Sequence, residues 1–285
     1  MNTRRVAAGN GAVTVREWGA ANGQPLVFWH GLNPFGALAL NEAGPAWAAD
    51  GFRVVAVAAP GIADDGTLPD PAAYRPTRLA DLVVSVADEL GLGRFVFVGW
   101  SWGASIGVHL GVRHTSRLNA LVLLDAGHTD IPEDHGETLD ETLVAFSEQQ
   151  QRYHFPDWDA FVSAVRERHP DWRGALEERF RAGMREEGAE IVARSDPRAA
   201  AAAWHFLVQE QPSATHGQLG RTTLPVLLVL ARRNDTTVEA ERFRGLVPQL
   251  EMREIDADHD LLADAPEETI RTVSDWLRSA VSSAH

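Results

Sequence analysis

The chain contains no cysteine, which excludes disulfides, thiolate metal sites and a cysteine nucleophile together. The lack fits a reducing compartment, and a cytoplasmic location is the expectation. No apolar run approaches the ~20 residues that a membrane helix needs, so no membrane partner is expected. The first residues, MNTRRVAAGNGAVTV, carry two arginines but no apolar stretch behind them, so a secretory signal is not expected either. Positive charge is scarce: 26 basic residues face 40 acidic ones, a formal net charge of −14. Binding to a phosphate backbone depends on clustered cations, so nucleic acid is excluded as an expected partner; the excess negative charge favours solubility through self-repulsion. Tyrosine is nearly missing, with two residues against nine tryptophans.

What is present is enough apolar material for one large core with an inserted subdomain, 45% of 285 residues. Short solid apolar runs at Leu26–Trp29, Val54–Val57, Phe95–Val98 and Leu121–Leu124 read as strands buried on both faces. Val13–Trp18 alternates, as a half-buried strand would. Between them, Ala37–Ala49, Leu79–Leu90 and Trp102–His114 have helical spacing, the second ending near Gly91 and Gly93, a stop signal for a helix. From about His128 to about Gly220 no convincing strand is found, and four stretches read as helices. Alternation then resumes, with strands at Val226–Leu230 and Glu251–Ile255 and helices at Val238–Leu246 and Pro266–Val281. The expected class is α/β, a mostly parallel sheet with helices on both faces. Residues 1–127 and 221–285 would form the core, and 128–220 an inserted helical cap.

The stretch FVFVGWSWGAS, Phe95–Ser105, places one hydroxyl between two glycines where a buried strand meets a helix of small residues. A sharp turn there lifts Ser101 above the carboxyl ends of the strands, the usual ligand edge of an open α/β sheet. Side chains at Gly99 and Gly103 would collide with neighbouring backbone. Helix N-terminal amides favour developing negative charge. A serine nucleophile needs a base, and the base an orienting acid. VLLVLARRND supplies Asp235 just past a buried strand, and EIDADHDLL supplies His259 before the final helix. WHGL, ending in Leu32, can aim an amide at the space faced by the Trp102 amide, a pair suited to hold an oxyanion.

Together WHGL, GWSWG, the Asp235 loop and ADHDLL resemble the α/β-hydrolase superfamily with a helical lid, over nearly the whole chain. The resemblance implies the α/β-hydrolase fold, a nucleophile at Ser101, a base at His259, an acid at Asp235 and oxyanion amides at Leu32 and Trp102. Asp125, after the strand preceding the insertion, is the alternative acid; some relatives use that place. One departure is AAPGIADD: Ala58, Ala63 and Asp65 replace residues of a turn common among members, and altered local hydrogen bonding is expected there. Haloalkane dehalogenases and epoxide hydrolases of this fold carry Asp at the elbow, where this chain has Ser101. Proline-iminopeptidase-like relatives usually carry Asp-Gln-Arg-Gly where this chain has AAPG, which disfavours a peptidase.

Other residues weigh less. His30 is expected to brace the oxyanion loop. His128, Asp130, Asp134 and His135 match no metal-binding spacing and read as a solvated loop, so no metal and no cofactor are expected. Asp256, Asp258 and Asp260 read as exposed loop carboxylates, and Trp100 as packing behind the elbow. His154, His169, His205 and His216 stay unassigned. Trp29, Phe35, Trp102, Trp204 and Phe206 are candidate walls of a substrate cavity, with core packing the competing reading. The expected function is a serine hydrolase that cleaves a small or medium apolar ester or lactone through an acyl-enzyme, acting on a small molecule as a monomer or homodimer. A ligand receptor without hydrolysis, a cofactor-free perhydrolase and a carbon–carbon bond hydrolase are the alternatives.

Overall fold

The computed structural model describes residues 1–9, 11–64, 66, 68, 70–132, 138–169 and 171–282. Among these residues the strands are β1 (Asn2–Ala8), β2 (Gly11–Trp18), β3 (Gln24–Trp29), β4 (Phe52–Ala58), β5 (Phe95–Trp100), β6 (Leu118–Leu124), β7 (Met184–Glu187), β8 (Glu190–Ala193), β9 (Val226–Ala231) and β10 (Leu250–Ile255). All but β7 and β8 form one eight-stranded sheet in the order β1-β2-β4-β3-β5-β6-β9-β10. The pairs β1·β2 and β2·β4 are antiparallel and the others parallel. Strand β1 was not anticipated. Its sequence NTRRVAA buries only Val6 and Ala8, so at the edge of the sheet it lacks the apolar run that marks an inner strand.

The helices are α1 (Ala43–Ala49), α2 (Pro76–Glu89), α3 (Trp102–Arg113), α4 (Leu139–Gln150), α5 (Trp158–Arg166), α6 (Gly174–Ala182), α7 (Pro197–Gln209), α8 (His216–Leu219), α9 (Thr237–Leu246), α10 (Leu261–Asp264) and α11 (Pro266–Ser282). Successive side chains of a strand point to opposite faces, and the two faces of β5 feed different cores. Phe95 and Phe97 join Leu121, Val83 and Ile106 under α2 and α3. Val96 and Val98 join Val122, Trp47 and Trp276 under α1 and α11. Each such side chain contributes roughly 1.5–3 kcal/mol on burial, which anchors β5 and whatever its carboxyl end carries. The helix expected over Ala37–Ala49 is split: a 3-10 turn, Pro34–Leu38, capped by the Asn33 side chain, precedes α1.

Between β6 and β9 the chain leaves the sheet and carries α4–α8. It also carries the hairpin β7–β8, which corrects the reading of this segment as free of strands. Glu187 pairs with Glu190 across Gly188-Ala189, and Gly188 has φ 65°, the glycine-first arrangement of a two-residue hairpin turn. A run of charged helix formers, MREEGAE, hid it. Phe161, Leu176, Phe180, Met184 and Ile191 give the segment a small core of its own.

Candidate active site

The elbow follows from steric facts. A Cβ at Gly99 would overlap the Gly103 carbonyl, and a Cβ at Gly103 would overlap the Trp29 carbonyl. Only glycine at both lets α3 start directly against β3 and β5. Between them Ser101 is held at φ 55°, ψ −117°, a strained conformation for a side-chain-bearing residue that the packed surroundings must enforce. Its amide donates to the Leu124 carbonyl at 3.1 Å, locking the turn to the neighbouring strand. The hydroxyl is thereby presented to the imidazole of His259, with Oγ 2.8 Å from Nε2.

The other ring nitrogen faces a carboxylate. His259 Nδ1 lies 2.7 Å from Oδ2 of Asp125, and this corrects the assignment of that role to Asp235. Asp125 follows β6 at φ 50°, an orientation that turns its carboxylate toward the loop after β9. Its Oδ1 accepts from the Ala231 amide at 2.7 Å, and its Oδ2 from the Asn234 side-chain amide at 2.8 Å as well as from His259. Three donors compensate the burial of a carboxylate that has no exposure at all. Asp235 is exposed and in the left-handed region. The tight turn Arg232–Asn234 brings the Asn234 side chain 3.5 Å from His259 Nδ1 and leaves Asp235 lining the cavity that opens beside Ser101. With a carboxylate on Nδ1, that nitrogen carries the proton and Nε2 is free to accept one from Ser101.

The His259 loop is tethered from below. Trp100 does pack behind the elbow, and its Nε1–H also donates to the His259 carbonyl at 2.9 Å. Asp260 is not a free loop carboxylate: it caps α10 and binds Arg179 through both oxygens, at 3.2 and 2.7 Å. Asp256 and Asp258 are exposed and lie beside Arg233, at 3.1 and 3.7 Å.

A cavity of about 770 Å³ opens beside Ser101 and His259. Leu32, Trp102, Trp204 and Leu207 are among its apolar lining residues, and Thr236 and Arg242 among its polar groups. Three expected wall residues are elsewhere. Trp29 is fully buried, edge-on to Trp102. Phe35 packs on Tyr153 and Phe180. Phe206 lies under the Arg75 guanidinium, 4.3 Å from its ring centre. Trp29 and Phe206 were drawn into the core because large rings gain much from burial, and Phe35, half-buried, packs against the small core of the inserted segment.

His30 braces the oxyanion loop from the inside. Nδ1–H donates to the Gly31 carbonyl at 2.7 Å, and Nε2 accepts from the Ala59 amide at 3.0 Å. Complete burial pushes it down to about 4, so it stays neutral. The altered turn that follows closes through Gly61 N–H to the Asp64 carbonyl, while the Asp64 side chain accepts from Thr14; Asp65 lies outside the described residues, as do Asp134 and His135. His128 is buried rather than solvated, with Nε2 2.9 Å from Thr236 Oγ1. His216 also lines the cavity and bonds the Gly127 carbonyl at 2.8 Å. Burial lowers both imidazoles. Asn234, Arg179 and the indole donor of Trp100 were missed from the sequence; only Asn234, beside Asp235, sat where a signal could have been sought.

Comparison with known proteins bears on the fold. A candidate non-heme haloperoxidase of Mycobacterium phage D29 is 36% identical over 122 residues, 41% of this chain and 43% of that protein, so the match spans less than half of the relative. Among solved structures, E-2-(acetamidomethylene)succinate hydrolase aligns with a TM-score of 0.78 at 22% identity, covering 97% of this chain and 99% of that one. The thioesterase domain from the curacin biosynthetic pathway gives 0.76 at 19%, with 97% and 99% covered. A carboxylesterase of the ammonia-oxidizing thaumarchaeon Nitrososphaera gargenis gives 0.75 at 17%, with 98% and 100% covered. Residues 24–266 match the alpha/beta hydrolase fold family, and the chain belongs to that family.

Proposed function

We propose that the chain is a serine hydrolase acting on a small or medium carboxylic ester. One observation carries the reading: Ser101 Oγ, His259 and the Asp125 carboxylate stand in a single hydrogen-bonded line of 2.8 and 2.7 Å. Ser101 attacks the acyl carbonyl as His259 Nε2 takes its proton. Asp125 steadies the imidazolium. The oxyanion is held by the amides of Leu32 and Trp102, both at the cavity that contains Ser101. The imidazolium then protonates the departing alcohol, and water activated by His259 releases the acid. Positioned proton transfer contributes typically ~10²–10⁴ in rate, and each oxyanion donor ~10²–10³. The segment 128–220 acts as the cap, contributing Trp204 and Leu207 to the apolar lining.

The apolar part of an ester would lie against Trp102, Trp204 and Leu207, and Arg242 and Thr236 offer hydrogen bonds to a polar substituent. The fold neighbours, a hydrolase, a thioesterase domain and a carboxylesterase, support acyl chemistry. The partial likeness to a haloperoxidase supports a second reading, in which hydrogen peroxide instead of water takes the acyl group from Ser101 and leaves as a peracid.

A fluorophosphonate probe and p-nitrophenyl esters of graded acyl length test the proposal. The probe is expected on Ser101, and ester turnover is expected to fall by at least ~10³ in Ser101→Ala. Peracid formation that depends on peroxide and on Ser101 would favour the second reading. Ligand binding with no labelling of Ser101 and no turnover would reject both in favour of a receptor, and undiminished turnover in the alanine variant would reject Ser101 as the nucleophile.

A further inference from the structure

Arg179, on α6, is 1% exposed. A guanidinium is costly to take out of water, and a buried one persists where its donors are all directed. Its contacts do not serve α6. Nη1 and Nη2 hold both oxygens of Asp260, the residue after His259, at 3.2 and 2.7 Å. Nε donates to the carbonyl of Phe35 at 3.3 Å, three residues past Leu32. The planar group lies over the Trp100 ring, 5.2 Å from its centre; Trp100 precedes Ser101 and donates to the His259 carbonyl. One side chain therefore touches the His259 loop, the elbow strand and the oxyanion loop. The same helix is docked by other polar ties: Arg173, just before α6, holds Glu42 and the Ala263 carbonyl, and Asn41 donates to the Ala175 carbonyl.

We infer that Arg179 is a positioning residue for the reaction, the element by which the segment between β6 and β9 sets the placement of His259 relative to Ser101 and the oxyanion amides. An apolar side chain of similar length could fill the space but could not direct three separate loops. Helix α6 is on this account a fixed support behind the active site, not a moving flap. The inference rests on the reading of Ser101, His259 and Asp125 as the reacting groups.

The test compares wild type with Arg179→Met, Asp260→Asn and the double variant, measuring kcat, KM and the pH profile on one p-nitrophenyl ester, per folded protein judged by near-UV circular dichroism. Each single variant is expected to lose about tenfold in kcat with KM within about twofold, and the double to lose no more than the worse single, because all three break one link. The pH readout separates positioning from mere support. Charged or titratable groups around His259 are Asp125 from β6, Arg233 with Asp256 and Asp258 from the neighbouring loops, Asp235, Glu239 and Arg242 at the cavity, buried His128, and the Arg179–Asp260 pair itself. Removing Arg179 leaves the Asp260 charge uncompensated and favours the imidazolium, so the acid limb of kcat/KM moves up by about half a pH unit. Asp260→Asn moves it down by a similar amount, and the double variant returns it to the wild-type position. A folded double variant with wild-type kcat, or acid limbs that do not move in opposite directions, overturns the inference. So does failure of all three variants to fold, which would make Arg179 a structural strut. Failure of the catalytic reading is seen separately, in wild-type protein whose Ser101 is not labelled; the inference then falls with it.

Discussion

At the residue scale the decisive pair is Asp125 and Asn234. The carboxylate that meets His259 Nδ1 comes from the end of β6, and the loop after β9 delivers an amide to the same oxygen. Asp125→Asn is expected to lower kcat on the order of 10³–10⁴, since an amide can stabilise neither the tautomer nor the imidazolium. Asp235→Asn, altering an exposed side chain, should stay within about twofold. Because Asn234 Nδ2 is already 3.5 Å from His259 Nδ1, the double variant Asp125→Asn/Asn234→Asp should regain at least about tenfold over Asp125→Asn alone. The same ester assay reads all three, and a double variant no better than the single would show that the β9 loop cannot seat the acid. Ser101 and His259 could be picked out of the sequence because strand, turn and chain order constrain them. The acid could not, because two neighbouring side chains, Asn234 and Asp235, differ only in which way a short turn points them.

At the element scale the inner strands were legible as solid apolar runs, because burial on both faces leaves no room for polar residues. Edges and hairpins were not: β1 and β7–β8 carry arginines and glutamates on faces that meet solvent, and period-2 signals vanish there. The elbow is the stiffest local demand. Gly99→Ala or Gly103→Ala puts a methyl into a carbonyl oxygen with no flexible neighbour to yield, so neither variant is expected to give soluble folded protein. Gly188→Ala makes a useful contrast. Its φ is 65° but the added methyl meets nothing within 4 Å, so the cost should be only about 1–2 kcal/mol in urea unfolding. Equal losses at Gly103 and Gly188 would contradict the packing argument.

At the scale of the whole molecule, four imidazoles among the described residues are buried, and burial disfavours their charged form. Desolvation pushes His30 down to about 4, and it also lowers His109, His128 and His216. Unfolded histidine binds a proton near pH ~6.5, so below that pH the unfolded chain takes up protons that the folded chain refuses. Their contribution is complete above about 6.5 and is lost as pH falls below it; for His30 the loss runs down to about 4 and is on the order of 3 kcal/mol. Urea midpoints measured between pH 7 and 5 should therefore fall steadily; a flat or rising midpoint would mean that these rings are not buried neutral.

Strands β5 and β6 lie side by side, Trp100 paired with Leu124, and each is followed at once by a member of the proposed reacting group, Ser101 and Asp125. Those two ride on one rigid ladder and can hardly drift apart without tearing the sheet. The imidazole alone travels on a loop, with its side chain 45% exposed. Any throttle on turnover, whether an incoming molecule, crowding or cold, has one hand-hold to grip: the few residues that carry His259.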